Sequence, residues 1–260
     1  LYDFDTTNAW AITGWVKNGG SWYYFDPTNA WADTGWQSIH NHWYYFDEDG
    51  EAATDLQQIN GNWYNFDETN AWADTGWQKI GDNWFYFDPS NAWALTGWQH
   101  INNNWYYFNE DGVADTGLAQ INGHTYYFDE NNAWAVTGWY QSDFGSWYYF
   151  DPSNAWALTG WQRINNNWYY FDADGAAETD WQTINGHDYY FDPTNAWAAT
   201  GWQKIEGNWY YFDPSNAWAL NGWQRINGHW YYFDDQIMVT GGQFINGKDY
   251  FFNDNGQLVE

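Results

Sequence analysis

Residues 202–223, WQKIEGNWYYFDPSNAWALNGW, hold the unit of which the rest of the chain is a series of variants. After Trp202 comes a short run with Gln203 and Ile205, then a turn, and the chain returns through residues 209–212. Two short runs rich in aromatic and β-branched residues, separated by a few turn residues, are typical of a β-hairpin. The unit is therefore predicted to be one hairpin followed by a crossing loop that contains Pro214.

The register of the hairpin follows from sibling units with Asn-Gly at the turn, which favours a two-residue type I′ turn. These are Asn60-Gly61, Asn122-Gly123, Asn185-Gly186, Asn227-Gly228 and Asn246-Gly247. With Asn227-Gly228 as the turn, Trp223 faces Tyr232 and Arg225 faces Trp230. Because side chains alternate along a strand, one face is predicted to hold Trp223, Trp230 and Tyr232. The opposite face is predicted to hold Gln224, Ile226, Tyr231 and Phe233.

The unit recurs along the whole chain at intervals of 19 to 22 residues, which is the period of a solenoid. The repeats begin at Trp15, Trp36, Leu56, Trp77, Trp98, Leu118, Trp139, Trp161, Trp181, Trp202, Trp223 and Gly242. A lone two-stranded hairpin is at best marginally stable in water, so each must be buried against its neighbours. We expect one repeat domain over residues 1–260, all-β, made of about twelve hairpins.

A second period lies over the first, because the crossing loop is shorter in every third repeat. The long form is Asn-Ala-Trp-Ala, with its Trp at Trp10, Trp31, Trp72, Trp93, Trp134, Trp156, Trp197 and Trp218. The short form carries Asp-Gly at Asp49-Gly50, Asp111-Gly112 and Asp174-Gly175, with the irregular segment 235–238 in the fourth place. Every third hairpin should then share one environment, which predicts about three hairpins per turn and about four turns.

Composition excludes several classes of function. The chain has 34 acidic and 6 basic residues and a formal charge of −28, which argues against nucleic acid and anionic membrane as ligands. It has no Cys, no apolar run long enough to span a membrane and no signal peptide at its amino end. Since it starts in mid-repeat with LYDF, we expect it to be a fragment of a larger secreted protein.

No arrangement of residues in the repeats is typical of catalysis. Nearly every Asp, Tyr and Trp has equivalents in other repeats, whereas a catalytic site needs a constellation placed once, so no catalytic residue is expected. The segment 47–50 matches the first half of a calcium loop, but no bidentate Glu follows, so we interpret it as a turn with no metal and no cofactor. The six His lie in or beside hairpin turns and are interpreted as exposed turn residues.

The Trp-rich face is the candidate binding surface, because exposed aromatic patches mark recognition sites. Eight repeats keep two Trp on this face, namely Trp15 with Trp22, Trp36 with Trp43, Trp77 with Trp84, Trp98 with Trp105, Trp139 with Trp147, Trp161 with Trp168, Trp202 with Trp209 and Trp223 with Trp230. Repeats after a short loop lose one or both, so two ridges should be Trp-rich and the third depleted. Stacked aromatic walls suit sugar rings or a quaternary ammonium; the alternative is that the Trp residues are only packing.

Several segments resemble known repeat families. GWQKI, INGHTYYFDENN, TINGHDYYFDP and FINGKDYFFNDNGQLV resemble the cell-wall-binding and glucan-binding repeats of Gram-positive surface proteins, and the Ile-Asn-Gly forms at Ile121, Ile184 and Ile245 are most similar to the glucan-binding domain of glucansucrases. The segment GWVKNGGSWYYF at 14–25 resembles choline-binding repeats, and the Asn-Ala-x-Ala loops are similar to clostridial toxin repeats. The resemblance implies a hairpin solenoid of the left-handed superhelical type.

The resemblance also implies two ligand classes. That to glucansucrases implies α-glucan pockets built from returning-strand Tyr and the Gln after Gly-Trp, here Tyr45, Tyr86, Tyr107, Tyr170, Tyr211 and Tyr232 with Gln37, Gln78, Gln99, Gln162, Gln203 and Gln224. Choline-binding repeats close their cage with a loop Met, whereas this chain has only Met238 and carries Trp at the usual loop position, where it could form a cage wall.

The function expected from the sequence is a non-catalytic module that binds carbohydrate, most of all an α-glucan or other cell-surface polysaccharide. Many similar sites along one chain suit a repetitive polymer, because multivalency raises the apparent affinity. Such a module would be secreted or displayed on the cell surface of a Gram-positive bacterium. Choline on teichoic acids is the alternative ligand, and a structural spacer is the third possibility.

Overall fold

A computed structural model describes residues 3, 5, 7 and 10–259 of the chain. In this part of the chain the regular structure consists of β-strands, and consecutive strands pair into twelve antiparallel hairpins. Hairpins 1 to 4 are β1 Gly14–Asn18 with β2 Ser21–Phe25, β3 Gly35–Ile39 with β4 His42–Phe46, β5 Asp55–Ile59 with β6 Asn62–Phe66, and β7 Gly76–Ile80 with β8 Asn83–Phe87. Hairpins 5 to 8 are β9 Gly97–Ile101 with β10 Asn104–Phe108, β11 Gly117–Ile121 with β12 His124–Phe128, β13 Gly138–Gln141 with β14 Trp147–Phe150, and β15 Gly160–Ile164 with β16 Asn167–Phe171.

The last four hairpins continue the same series. They are β17 Asp180–Ile184 with β18 His187–Phe191, β19 Gly201–Ile205 with β20 Asn208–Phe212, β21 Gly222–Ile226 with β22 His229–Asp234, and β24 Gly241–Ile245 with β25 Lys248–Phe252. The short strand β23, Ile237–Met238, adds to β22. None of the described residues forms a helix that is long and apolar enough to cross a membrane. The all-β prediction is confirmed.

The predicted register is also confirmed. In hairpin 11, Trp223 lies opposite Tyr232 and Arg225 lies opposite Trp230. The turn residues Asn227 and Gly228 have φ of 48° and 87°, as a type I′ turn requires. One face of the hairpin is therefore the aromatic face that alternation predicts, and the other holds the buried residues.

The core is a line of small clusters, each built around one fully buried Phe at the end of a returning strand. These residues are Phe25, Phe46, Phe66, Phe87, Phe108, Phe128, Phe150, Phe171, Phe191, Phe212, Phe233 and Phe252. In hairpin 2, Phe46 packs with Ile39 and Tyr44 of its own hairpin and with Ala71 from the loop after hairpin 3. Phe, Tyr and Ile residues of the hairpins thus form the core together with loop Ala residues.

The crossing loops depend on small residues with positive φ. In the long loop after hairpin 3, the Asp67 carboxylate accepts the backbone N–H groups of Thr69 and Asn70 at 3.0 and 2.7 Å, and Ala71, fully buried, has φ of 59°. In the short loop after hairpin 8, Gly175 has φ of 88°, and a Cβ atom there would lie 2.4 Å from Ala157 Cβ. The short loop thus needs glycine because the preceding loop is packed against it.

Within each unit, a hairpin packs on the next one and also contacts the loop that follows that next hairpin. Trp15 of hairpin 1 lies 4.7 Å from Tyr44 and 5.9 Å from Phe46 of hairpin 2, measured between ring centroids. The loop after hairpin 3 then reaches hairpin 2 through a bond of 2.7 Å from the Ala73 N–H to the Trp43 carbonyl. This succession of neighbour contacts confirms the solenoid prediction.

The chain forms two compact units, Leu1–Ala119 with Tyr127–Ala135, and Gln120–Tyr126 with Val136–Glu260. Hairpins 1 to 5 lie in the first unit and hairpins 7 to 12 in the second. Their union in one repeat domain stays a prediction.

Candidate functional site: aromatic pockets between hairpins

The hairpin 2 pocket is the clearest example of a repeated aromatic site in the first unit. Trp36 and Trp43 come from hairpin 2, Tyr64 comes from hairpin 3, and Trp93 comes with Ser90 and Asn91 from the loop after hairpin 4. The cavity measures about 220 Å³. Three segments that are distant in sequence therefore meet around one small space.

The walls of this pocket are held at fixed angles. The rings of Trp36 and Trp43 lie 6.4 Å apart at 80°, and Tyr64 lies 4.7 Å from Trp36. Trp43 is 48% exposed and Trp93 is 37% exposed, so the pocket opens to solvent. Burial raises the pKa of the Tyr64 hydroxyl, and a hydrogen bond with Asn62 offsets part of the rise. Tyr64 thus stays neutral at pH 7, and the pocket is lined without a charged side chain.

The second unit repeats this arrangement twice. The hairpin 8 pocket is lined by Trp161, Trp168, Tyr189 and Trp218 and measures about 220 Å³. The hairpin 7 pocket measures about 270 Å³ and is lined by Trp139, Trp147, Tyr169, Asn195 and Trp197. Each has the same plan: two Trp from one hairpin, a Tyr from the next, and a Trp from the loop after the second next.

Hairpins 1 and 4 carry the same aromatic side chains. Trp72 packs with Trp15 and Trp22 against the cluster around Tyr44, and Trp134 packs with Trp77 and Trp84 against the one around Tyr106. In both, the indole N–H of the second Trp donates to a loop carbonyl, Trp22 to Thr69 at 2.9 Å and Trp84 to Asn131 at 3.2 Å. The loop is thereby tied over the pocket.

The hairpin 10 pocket has a different fourth wall. Trp202, Trp209 and Tyr231 stand as in the other pockets, but the loop after hairpin 12 has no Trp. Met238, Asp254 and Asn255 complete the lining, and the cavity measures about 330 Å³.

In hairpins 3 and 9, which lack one Trp of the pair, the equivalent positions make other contacts. In hairpin 3, Leu56 and Trp63 pack against Phe85, and Trp63 Nε1 is buried without a hydrogen-bond partner among the described residues. In hairpin 9, Asp188 replaces the second Trp, and its carboxylate accepts hydrogen bonds from the Thr183 hydroxyl and the Gln236 amide, both at 2.5 Å. These positions are filled by packing or internal hydrogen bonds.

The Trp pairs predicted from the sequence stand together in their hairpins, with ring centroids 6.0 to 6.4 Å apart. They are Trp15 and Trp22, Trp36 and Trp43, Trp77 and Trp84, Trp98 and Trp105, Trp139 and Trp147, Trp161 and Trp168, Trp202 and Trp209, and Trp223 and Trp230. Their role in ligand binding stays a prediction.

The tyrosines predicted as pocket residues lie beside the Trp pairs and outside the four aromatic pockets. Each packs edge-on against the first Trp of its own hairpin at 5.0 to 5.3 Å; they are Tyr45, Tyr86, Tyr107, Tyr170, Tyr211 and Tyr232. The tyrosine that lines a pocket, such as Tyr64 or Tyr189, belongs to the following hairpin. It stands two residues before the buried Phe of its strand, whereas the predicted tyrosines stand one residue before that Phe.

The predicted glutamines lie on the face opposite the Trp pairs, where most of them hold the end of the crossing loop. The side-chain amide donates to the backbone carbonyl three residues earlier, at 2.8 to 3.2 Å, in Gln37, Gln99, Gln162, Gln203 and Gln224. Gln78 is half-buried at the same position of hairpin 4.

The pocket residues that sequence reasoning missed come from other repeats. These residues belong to two segments that recur in the sequence. The Tyr-Tyr-Phe segment contains the Tyr of the next hairpin, and the Asn-Ala-Trp-Ala segment contains the loop Trp. Alternation within one hairpin cannot show which of these meet, because the contacts join positions about 20 to 55 residues apart.

A polar groove also lies in the first unit. It measures about 460 Å³, and its lining includes Tyr45, Asp47, Glu51, Thr54, Gln57 and Asn60. The Glu51 carboxylate accepts a hydrogen bond of 3.2 Å from the Tyr23 hydroxyl, and the Gln57 amide donates to the Thr54 carbonyl at 2.9 Å. Tyr45 thus meets a Gln here, but the Gln belongs to the following hairpin. No group of acidic, His or Cys side chains among the described residues could hold a metal ion.

Comparisons with known proteins agree on one kind of repeat. The model of a choline-binding repeat matches residues 34–73, 95–133, 115–155 and 158–198. That of a cell wall binding repeat matches residues 13–28, 75–90, 200–215, 221–236 and 243–258. A comparison with curated proteins finds no match.

Solved structures from Streptococcus pneumoniae share the fold. CbpJ from strain TIGR4 is 30% identical, with 94% of this chain and 93% of that chain covered and a TM-score of 0.51. Choline binding protein F, solved in complex with ipratropium, is 27% identical, with 95% and 93% covered and a TM-score of 0.51. The autolysin LytC is 22% identical, with 87% and 52% covered and a TM-score of 0.57.

Proposed function

This chain belongs to the family of choline-binding and cell wall binding repeats, and we propose that its aromatic pockets bind quaternary ammonium groups of the choline type. The observation that carries the proposal is the four-sided lining of the hairpin 2 and hairpin 8 pockets by three Trp and one Tyr. The chain is then a binding module for the outside of a Gram-positive cell, where choline would be displayed on cell-wall polymers.

The physical basis is attraction between a cation and aromatic faces. An ammonium within about 6 Å of a ring centroid gains about 0.5 to 2 kcal/mol, and Trp is the best partner. The protein's own Lys17 and Lys79 make this contact, with Nζ 5.2 and 5.4 Å from the ring centroids of Trp22 and Trp84. A quaternary ammonium has no N–H group that needs an acceptor, so a lining made mostly of aromatic rings suits it.

The charge of the chain supports the same ligand. A formal charge of −28 attracts cations over a long range and concentrates them near the surface. The charge raises the local concentration of any cation, while the aromatic walls select those with methyl groups on nitrogen.

The experiment must separate pocket binding from this general attraction, because a chain of this charge binds any positively charged resin. We would titrate the full chain with free choline at constant ionic strength and follow the indole N–H signals by NMR, with sodium chloride as the matched control. Signals of Trp36, Trp43, Trp161 and Trp168 should move with choline and stay in place with sodium. If choline moves none of them, the proposal is wrong.

A second candidate is binding of a neutral sugar such as an α-glucan unit, which the polar groove favours. Tyr45 offers a ring face, and Glu51, Gln57 and Asn60 offer the carboxylate and amide groups that hydrogen-bond to hydroxyls. The test is a titration with a dextran oligosaccharide, comparing Tyr45→Ala with Trp43→Ala. A sugar bound in the groove is weakened only by the first substitution, and a chain that shows no response to dextran excludes this candidate.

A further inference from the structure

Three of the loop Trp residues are stacked on a histidine. The ring of Trp218 lies 4.3 Å from that of His187, measured between centroids, at an interplanar angle of 15°. The same stack recurs at centroid distances of 4.4 and 4.6 Å in Trp156 with His124 and in Trp72 with His42. In each case the His begins the returning strand of one hairpin, and the Trp lies in the crossing loop after the next hairpin. The stack is therefore present in both units.

The His187 stack concerns one of the pockets directly. Trp218 is the loop wall of the hairpin 8 pocket, whereas His187 is exposed and is not among the residues that line the cavity. The imidazole therefore contacts this wall from outside the cavity. A ligand in the pocket and the imidazole of His187 would share one indole ring.

The backbone holds Trp218 in place independently of the imidazole. The Trp218 carbonyl accepts a hydrogen bond of 2.8 Å from the Asp213 N–H. The next residue, Ala219, donates its N–H to the Asp188 carbonyl at 2.8 Å. Because neither bond involves the imidazole, a change in the charge of His187 leaves the wall in position and acts on a ligand through electrostatics.

The hairpin 2 pocket supplies a comparison within the same chain. Its lining has the same residue types as that of the hairpin 8 pocket, namely three Trp, one Tyr, one Ser and one Asn, and both cavities measure about 220 Å³. At the register position of His187, opposite the Ile that precedes the turn, hairpin 3 carries Asn62. The loop wall Trp93 of the hairpin 2 pocket therefore has an amide at the position where Trp218 has an imidazole.

Charged or titratable groups also lie on the elements around His187. On β18, the Asp188 carboxylate accepts two side-chain hydrogen bonds, and burial raises the pKa of the Tyr189 hydroxyl. On the crossing loop after hairpin 10, the Asp213 carboxylate accepts two backbone N–H groups of its own loop. On β15 of hairpin 8, the charged residue is Arg163. Among these side-chain types, imidazole is the one that changes charge between about pH 5 and 8.

We propose that His187 makes cation binding in the hairpin 8 pocket depend on pH, because its protonation places a positive charge against Trp218 from outside the cavity. An imidazolium is attracted by the same ring electrons that would hold a ligand ammonium. It also repels that ammonium, since the two charges are separated by little more than one indole ring. The neutral imidazole does neither. The inference rests on the proposed function, since it concerns the regulation of the same pocket.

The test compares two pockets of one chain at two pH values. We would titrate the full chain with choline at about pH 7.5 and about pH 5.5 at constant ionic strength, and follow indole N–H signals by NMR. At the lower pH, the choline affinity reported by Trp161 and Trp168 should fall about threefold or more. The affinity reported by Trp36 and Trp43 should stay nearly constant, and it corrects for the general loss of negative charge as carboxylates are protonated.

Two substitutions exchange the residues at this position. His187→Asn should make the choline affinity of the hairpin 8 pocket nearly the same at the two pH values. Asn62→His should confer the loss at the lower pH on the hairpin 2 pocket. The matched control is His229→Asn, at the same register position of hairpin 11, where the loop after hairpin 12 has no Trp, and it should leave the pH response of both pockets unchanged.

The outcomes separate this inference from the proposed function. An equal pH response of the two pockets, or a response of the hairpin 8 pocket that survives His187→Asn, overturns the inference while choline binding itself stands. If choline moves none of the four indole signals at either pH, the proposed function is wrong and the inference is wrong with it.

Discussion

The indole nitrogen of Trp147 donates a hydrogen bond of 2.9 Å to the backbone carbonyl of Thr194, which lies 47 residues further along the chain. The same bond joins Trp22 to Thr69 and Trp84 to Asn131. The bond is found where the crossing loop after the next hairpin is short. The crossing loop after the second next hairpin then contacts the Trp. The Trp that forms a wall of the pocket therefore also links two repeats through this hydrogen bond.

Removing this bond should lower stability by a measurable amount. Trp147→Phe keeps an aromatic ring but removes the N–H donor and leaves the Thr194 carbonyl without this partner. We expect a loss of about 1 kcal/mol in the free energy of unfolding beyond that caused by Trp168→Phe, whose indole is exposed and donates no hydrogen bond to another described residue. Urea unfolding of the two variants measures the difference, and equal losses would show that the bond does not stabilise the fold.

The buried Phe at the end of each returning strand should carry much of the stability of its cluster. Phe171 is 1% exposed and packs with Ile164, Tyr169 and Ala196. Phe171→Ala is expected to cost about 3 to 5 kcal/mol, because it leaves a cavity that the flanking hairpins cannot close. Phe144→Ala, at a turn position that is 97% exposed, should change the free energy of unfolding by less than about 0.5 kcal/mol. Similar losses in both variants would contradict this account of the core.

Ligand pockets should act independently. Trp168→Ala removes one wall of the hairpin 8 pocket, and we expect choline affinity there to fall about tenfold, since the loss of a cation–π wall costs about 1 to 2 kcal/mol. The Trp36 and Trp43 indole signals should still respond to choline with unchanged affinity. Loss of the choline response in every pocket would show that the sites are coupled or that the fold has failed, and far-ultraviolet circular dichroism distinguishes these outcomes.

One loop position should make stability depend on pH. Burial raises the pKa of the Asp115 carboxyl, and the same position in hairpin 2's short loop is Ala53. A raised folded-state pKa means that the ionised carboxylate costs stability at neutral pH. The cost disappears as pH falls through the raised pKa toward the value of the unfolded chain. Asp115→Ala should therefore raise the melting temperature at pH 7 and have less effect as the pH is lowered through that window. A gain that grows toward acid pH would contradict the stated cause.

Much of the fold could be predicted from the sequence because its rules are local. Asn-Gly sets the turn at Asn227, alternation then places Trp223 opposite Tyr232, and the 19- to 22-residue spacing repeats the result along the chain. The replacement of Trp by Leu56 and by Asp188 also marked hairpins 3 and 9, where the Trp pair is incomplete.

The pockets could be predicted only in part. The Trp pairs were found because both members lie on one face of one hairpin. The resemblance implied a pocket with Tyr45 and Gln37. Tyr45 lines the polar groove, the hairpin 2 pocket is lined by Tyr64 of the next hairpin, and the Gln37 amide donates to the Thr34 carbonyl. The loop Trp93 was visible as a repeated residue, yet its distance from Trp36 depends on how three repeats pack.

The sequence by itself thus determined the hairpins, their register and their two faces, because backbone alternation and turn chemistry act within about ten residues. Only the tertiary structure decided which side chains surround a common space, because each pocket draws on two hairpins and the loop after a third. The same packing decided that the hairpin 10 pocket is completed by Met238 and Asp254, at a short glycine-containing loop that carries no Trp.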